Sequence, residues 1–149
     1  MSEFFIKYVD TNTVLPKKEL LSAVFLIALQ GTKILAIKND RGWEVPGGHV
    51  EDGEMVEEAL IREVEEEAGA SFSDAKLLAI IESSNQDKYK DKVMLVYTTD
   101  KFKLGKFTPS EDAFDREIIE VTKFLDKHKG VINFTELISR AKDLITNSR

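Results

Sequence analysis

Nine acidic residues and a single base, Arg62, fall between Glu51 and Glu67, giving that stretch a charge of −8 in a chain whose net charge is −6 and leaving +2 elsewhere. Such a block is either a solvated, self-repelling face or a place where cations are held. Every residue from Glu54 to Ala68 is compatible with a helix, and Gly69 supplies the usual stop. At about 100° per residue, with Met55 set to zero, Glu66, Glu63 and Glu67 fall at about 20°, 80° and 120°. Glu65 and Glu58 fall at about 280° and 300°, where they read as solvated charges. Leu60, Val64, Ala68 and Ile61 occupy the arc between about 140° and 240° and are expected to form the buried stripe. Three carboxylates on the flank beside that stripe would repel one another unless a cation lies between them. Mg²⁺ suits the task, because it prefers oxygen ligands and commonly bridges carboxylates to substrate phosphates. Mn²⁺ is the alternative. Glu57 lies near the stripe, but in the first turn, where the helix dipole favours an acid.

The elements around this helix must position it. Gly47 and Gly48 precede it and would let a backbone carbonyl or amide approach a metal or phosphate closely, with a plain turn as the other reading. Residues 4–9 suggest an edge strand and 10–18 a loop. Residues 21–29 and 33–38 suggest a hairpin around Gln30-Gly31-Thr32. Asn39 to Gly42 is turn chemistry, 43–45 a short strand, and Pro46-Gly47-Gly48 a break in regular structure. Residues 76–81 and 92–99 read as two buried strands separated by the polar stretch 82–91. Residues 105–116 read as a loop, 117–125 as another strand, and 134–145 as a closing amphipathic helix. The expectation is a single α/β domain over residues 1–149, with a mixed β-sheet covered by helices on both faces.

Composition excludes several function classes. The chain has no cysteine, which removes disulfides, thiol nucleophiles and thiolate metal sites, and its two histidines, His49 and His128, make a histidine-rich zinc site improbable. The longest apolar stretch, residues 20–29, is too short to span a membrane as a helix. No basic region followed by an apolar core opens the sequence, so a cytoplasmic location is expected, with no membrane partner. The acidic balance argues against a nucleic-acid polymer as partner.

These residues, taken together, resemble the signature of the Nudix family: a glycine, five residues, Glu, seven residues, Arg-Glu, an aliphatic, any residue, Glu-Glu, any residue, Gly and an aliphatic. Here it runs from Gly48 through Glu54, Arg62, Glu63, Val64, Glu66, Glu67 and Gly69 to Ala70, with Ala70 where the family usually has Ile, Leu or Val. The resemblance implies an αβα sandwich and metal-dependent hydrolysis of a pyrophosphate bond in a nucleoside diphosphate derivative. It implies Glu63, Glu66 and Glu67 as metal ligands, together with the Gly47 carbonyl. Arg62 then resembles the structural arginine that holds the glutamates, and it could equally pair with Glu58 or Glu66 on the helix surface. Glu54 is similar to the early glutamate that braces the loop–helix junction. With Gly48 and Gly69 it would support the site. Trp43 reads as core.

The general base of such a reaction is a box glutamate in some members of the family and a downstream acid in others. Glu66, Glu67, Glu111, Glu117 and Glu120 therefore stand as candidates, and Glu117 is the preferred distal acid. The short chain resembles the nucleoside triphosphate branch, including enzymes that remove oxidised dGTP. Dinucleoside polyphosphates, ADP-ribose and sugar nucleotides are the alternatives, as is a non-catalytic nucleotide sensor, which the intact glutamates argue against. No proline lies between Pro46 and Pro109, where ADP-ribose hydrolases of the family carry one, and Tyr89 only approximates the tyrosine of diadenosine polyphosphate hydrolases. Asn133 sits where the triphosphate branch hydrogen-bonds a purine edge, yet Asn133-Phe-Thr-Glu136 also reads as a helix cap, the preferred reading. A homodimer would be in keeping with the family.

Overall fold

A computed structural model of the chain describes residues 4–83, 93–130 and 132–147. Among the described residues ten strands and three α-helices follow one another: β1 (Phe4–Tyr8), β2 (Leu21–Gln30), β3 (Lys33–Asn39), β4 (Gly42–Glu44), β5 (Gly47–His49), α1 (Val56–Ala68), β6 (Ala70–Ser73), β7 (Lys76–Ser83), β8 (Val93–Thr99), β9 (Lys101–Leu104), β10 (Asp115–Glu120), α2 (Val121–Lys127) and α3 (Phe134–Asn147). A single 3₁₀ turn, Lys18–Leu20, leads into β2.

The main sheet runs β1-β7-β8-β2-β3-β10, with β4 attached to β3 and β5 to β2. It is mixed, because β2 and β8 are parallel while the other pairs are antiparallel. Central β2 is apolar on both faces, as a strand covered from both sides must be. Val24, Leu26 and Ala28 join α1 in one core, and Ile27 and Leu29 join α2 and α3 in the other. Fully burying each large aliphatic side chain contributes about 1.5–3 kcal/mol, so this alternation fixes the register.

β2 also divides lengthwise. Its final residues pair with β3 across the Gly31 turn, whereas Ala23–Phe25 pair with His49–Gly47 of β5. The strand thereby holds the Gly47-Gly48 segment beside α1, which packs on β5, β2 and β6.

The fold matches the expected mixed sheet between helices, with local differences. Gly47 and Gly48 of the Pro46-Gly47-Gly48 break begin the three-residue strand β5, because the absence of side chains allows their backbone to lie directly against β2. The expected strand over 117–125 stops at Glu120 and continues as α2: Val121 and Phe124 are buried at helical spacing. β6 and β9, unforeseen from the sequence, form a separate two-stranded sheet. α1 starts at Val56, so Glu54 precedes the helix. The helix is rolled toward β5, burying Ala59 and leaving Ile61, expected in the stripe, 54% exposed. Tyr89 and most of the polar stretch 82–91 lie outside the described residues.

Candidate active site

Arg62 is the hub of one flank of α1. Its Nε and Nη2 hold the two carboxylate oxygens of Glu54 at 2.8 and 3.0 Å, and Nη2 also donates to the His49 carbonyl at 3.0 Å. Nη1 lies 2.9 Å from Glu63 Oε1 and 3.3 Å from Glu66 Oε2. The fork-to-fork pair holds the Glu54 carboxyl down to about 2, and the same pairing raises the Arg62 pKa further. Glu54 also accepts from the Glu51 N–H at 3.0 Å, which ties it to the loop before the helix. Both readings of Arg62 hold for Glu66, but not for Glu58, whose carboxylate accepts from the Met55 N–H at 3.0 Å.

Gly69 closes the helix at φ 58°, with its N–H on the Glu65 carbonyl at 2.9 Å. A side chain there would overlap the Lys106 carbonyl. Arg116 ties this end down by donating to the carbonyls of Ala68, Gly69 and Gly105 at 2.8, 3.1 and 2.9 Å.

The other flank carries Glu63 and Glu67 against β5. Leu26 N–H bonds the Pro46 carbonyl and Val50 N–H the Ser22 carbonyl, both at 3.0 Å. That two-residue rhythm turns the N–H and carbonyl of Gly47 away from β2. The Gly47 N–H donates to Glu67 Oε1 at 2.9 Å. A Cβ on Gly48 would stand 2.5 Å from the Glu63 carboxyl carbon, so the glycine is what lets this carboxylate approach the strand.

Both acids face a cavity of about 660 Å³ shared with Gly47, Gly48, Asp112 and Arg41. Burial pushes Glu67 up to about 7; the Gly47 N–H opposes this, while the charges of Glu63, Asp112 and Glu44 add to it. Burial also raises Glu63, against the pull of Arg62. A cation beside them would favour the charged form of both. Oxygen donors from Glu63, Glu67 and the Gly47 carbonyl fit a hard divalent ion. Glu66 turns outward toward Arg62 with its side chain 59% exposed, and among the described residues no three acidic or histidine side chains gather closely enough to form a complete cage.

The distal candidates are distributed differently from expectation. Glu117 is not among the residues lining the cavity. Its neighbours Arg116 and Ile118 face the α1 side of β10, and strand alternation sends Glu117 to the other face, where it is exposed. Glu111 and Glu120 are likewise exposed and away from the cavity. The structure brings Asp112 instead, an acid beside the named Glu111 that loop composition could not single out. Asn133 Oδ1 accepts from the Thr135 N–H at 2.9 Å, the preferred capping role, while Glu136 pairs with Arg140 at 3.3 Å rather than closing a reciprocal box.

Beside the acid cavity lies an apolar groove of about 300 Å³, lined by Phe25, Ile81, Val96, Ile132 and Phe134. Phe25, Arg41 and Ile132 border both hollows. His128 also lines the groove, and its Nδ1 lies 2.9 Å from the Trp43 carbonyl. Trp43 itself is core, as expected.

A mixed sheet between helices, with Glu63 and Glu67 on the flank of α1 that faces the Gly47-Gly48 strand, defines a class of hydrolases. The model of the NUDIX domain matches residues 19–141, and the chain belongs to the Nudix hydrolase family as a pyrophosphohydrolase of MutT type. It is 33% identical over 118 residues to the ADP-ribose pyrophosphatase of Methanocaldococcus jannaschii, covering 74% of this chain and 69% of that one. It is 40% identical over 47 residues to the 8-oxo-dGTP diphosphatase of Proteus vulgaris, covering 32% of this chain and 42% of the relative. The crystal structure of a mutant of the Bacillus subtilis pyrophosphohydrolase BsRppH superposes with a TM-score of 0.73 at 27% identity, covering 97% of this chain and 90% of the other. No helix among the described residues is long and apolar enough to cross a membrane.

Proposed function

We propose that the chain hydrolyses a pyrophosphate bond of a nucleoside triphosphate, oxidised dNTPs included, using Mg²⁺ or Mn²⁺ held by Glu63, Glu67 and the Gly47 carbonyl. The observation that carries this reading is the Glu63–Glu67 couple, two part-buried carboxylates with raised pKa values beside a cavity of about 660 Å³. Glu66 completes the ligand set by turning from Arg62, a surface contact of 3.3 Å that costs little to give up.

Bound there, the ion would offset the charge of the polyphosphate and lower the pKa of a water. The chain's own residues do the rest. Gly47 fixes Glu67 through its N–H, Arg62 fixes Glu63, and the apolar groove receives the nucleoside. We assign acceptance of the water's proton to Asp112 or Glu67, which line the same cavity, Asp112 from a loop the box does not contain.

The test is phosphate and pyrophosphate release from a panel of nucleotides with Mg²⁺. Nucleoside triphosphates should yield monophosphate and pyrophosphate; absence of turnover on every compound would overturn the reading in favour of a sensor. A second reading, ADP-ribose as substrate, is favoured by the similarity to the Methanocaldococcus enzyme and would appear in the same panel as release of AMP and ribose 5-phosphate.

A further inference from the structure

Arg41 stands at the junction of the acid cavity and the apolar groove and is the only lysine or arginine among the described residues lining the former. Its backbone is fixed: Asn39 Oδ1 accepts its N–H at 2.9 Å, and Gly42 completes the turn at φ 100°, a conformation that favours glycine. Its side chain is free by comparison. It is 74% exposed and makes one contact, from Nε to Glu44 Oε1 at 3.4 Å, near the outer limit of a hydrogen bond. Both Nη groups are without a hydrogen-bond partner among the described residues. The other described arginines are committed elsewhere, Arg62 to the glutamates, Arg116 to three carbonyls, and Arg140 to Glu136 and the ring of Tyr8.

We propose that Arg41 binds the substrate phosphate attached to the nucleoside, exchanging its loose contact with Glu44 for a two-pronged grip through both Nη groups. This rests on the nucleotide-hydrolase reading above. A molecule with its polyphosphate among Glu63, Glu67 and Asp112 and its base against Phe25 must place its first phosphate at the boundary between the hollows, which Arg41 borders. Carboxylates cannot meet that charge, whereas a planar guanidinium matches two phosphate oxygens. The pinned backbone holds the group in place, and the weak Glu44 contact lets it turn without breaking packed structure. Glu44 would lose little, since its partner is already mostly in solvent.

The experiment is equilibrium binding of the non-hydrolysable analogues α,β-imido-ATP and α,β-imido-dGTP with Mg²⁺, and of Mg²⁺ alone, to the full chain and to Arg41→Ala and Arg41→Lys. Arg41→Ala should weaken the tighter analogue by about ten- to a hundredfold, the loss expected for a charged hydrogen-bonding group. Arg41→Lys should recover only part of it, while Mg²⁺ affinity and melting temperature stay at the wild-type value. Analogue binding by Arg41→Ala within twofold of wild type would overturn the proposal, as would full recovery by lysine, which would indicate a general positive field rather than a grip. Failure of the underlying reading looks different: the unaltered chain would bind neither analogue, and both ideas would fall together.

Discussion

Glu54 and Glu67 are carboxylates at opposite ends of α1, yet one is held near 2 and the other pushed to about 7. The difference lies in what each meets. Glu54 receives both prongs of Arg62 and a backbone N–H, so its charge is fully answered. Glu67 is more deeply enclosed, receives a single N–H from Gly47, and shares its surroundings with Glu63, Asp112 and Glu44. A paired acid builds the junction, and an unpaired one is available for chemistry. The same run of glutamates thus divides by what answers each charge: Arg62 grips Glu54 with two prongs and gives Glu63 a single contact, while Glu67 accepts from the Gly47 N–H.

Removing Arg62 should break this comparison most severely. Arg62→Ala leaves Glu54, Glu63 and Glu66 unanswered and frees the His49 carbonyl, and it should destabilise the fold by on the order of 3 kcal/mol. In thermal unfolding that is a drop of roughly 10 °C for a chain of this size. An unchanged melting temperature would mean that the hub is decorative.

Glu67 should respond in the opposite sense. Its folded-state pKa of about 7 exceeds the ordinary 4.5, so between those values the folded state holds the extra proton. Stability without metal is therefore greatest below pH 4.5 as far as this group is concerned, and it falls as pH rises through 7. Allowing for solvent screening, the loss should be about 2 kcal/mol by pH 8. Glu67→Gln keeps an acceptor for the Gly47 N–H, so it should abolish this slope, raise metal-free stability at pH 8, and remove most hydrolysis. Denaturant titrations at pH 5 and pH 8 check the first two effects.

Asn133 should give the smallest change. Asn133→Ala should cost about 1 kcal/mol through the lost cap of α3, with KM for nucleotides unchanged, whereas a rise in KM would return it to the substrate-binding role.

How much of this was legible in the sequence follows from distance along the chain. The Glu63 and Glu67 flank, the Arg62 hub and the Gly69 stop lie within one helix and its ends, where spacing dictates direction. Glu66 shares that spacing, but a neighbouring guanidinium, not helical geometry, decides where its carboxylate points. Asp112 and Arg41 reach the cavity from different loops, and nothing local marks either one. Glu117 lies on the face of β10 away from α1 because a strand alternates, and the sheet alone determines which parity faces α1. Residues 121–125, expected as strand, form part of α2, because the apolar residues Val121, Phe124 and Leu125 fit either a helical face or a short buried strand.

Burial raises Glu63 and Glu67 despite their contacts with Arg62 and Gly47, and a divalent cation beside them would relieve both. The most direct test is the melting temperature of the unaltered chain and of Glu67→Gln as Mg²⁺ is added at pH 8. Saturation to about a hundred times the dissociation constant should stabilise the unaltered chain by about 2.7 kcal/mol and the variant by much less. An equal rise in both, or none in either, would contradict the account.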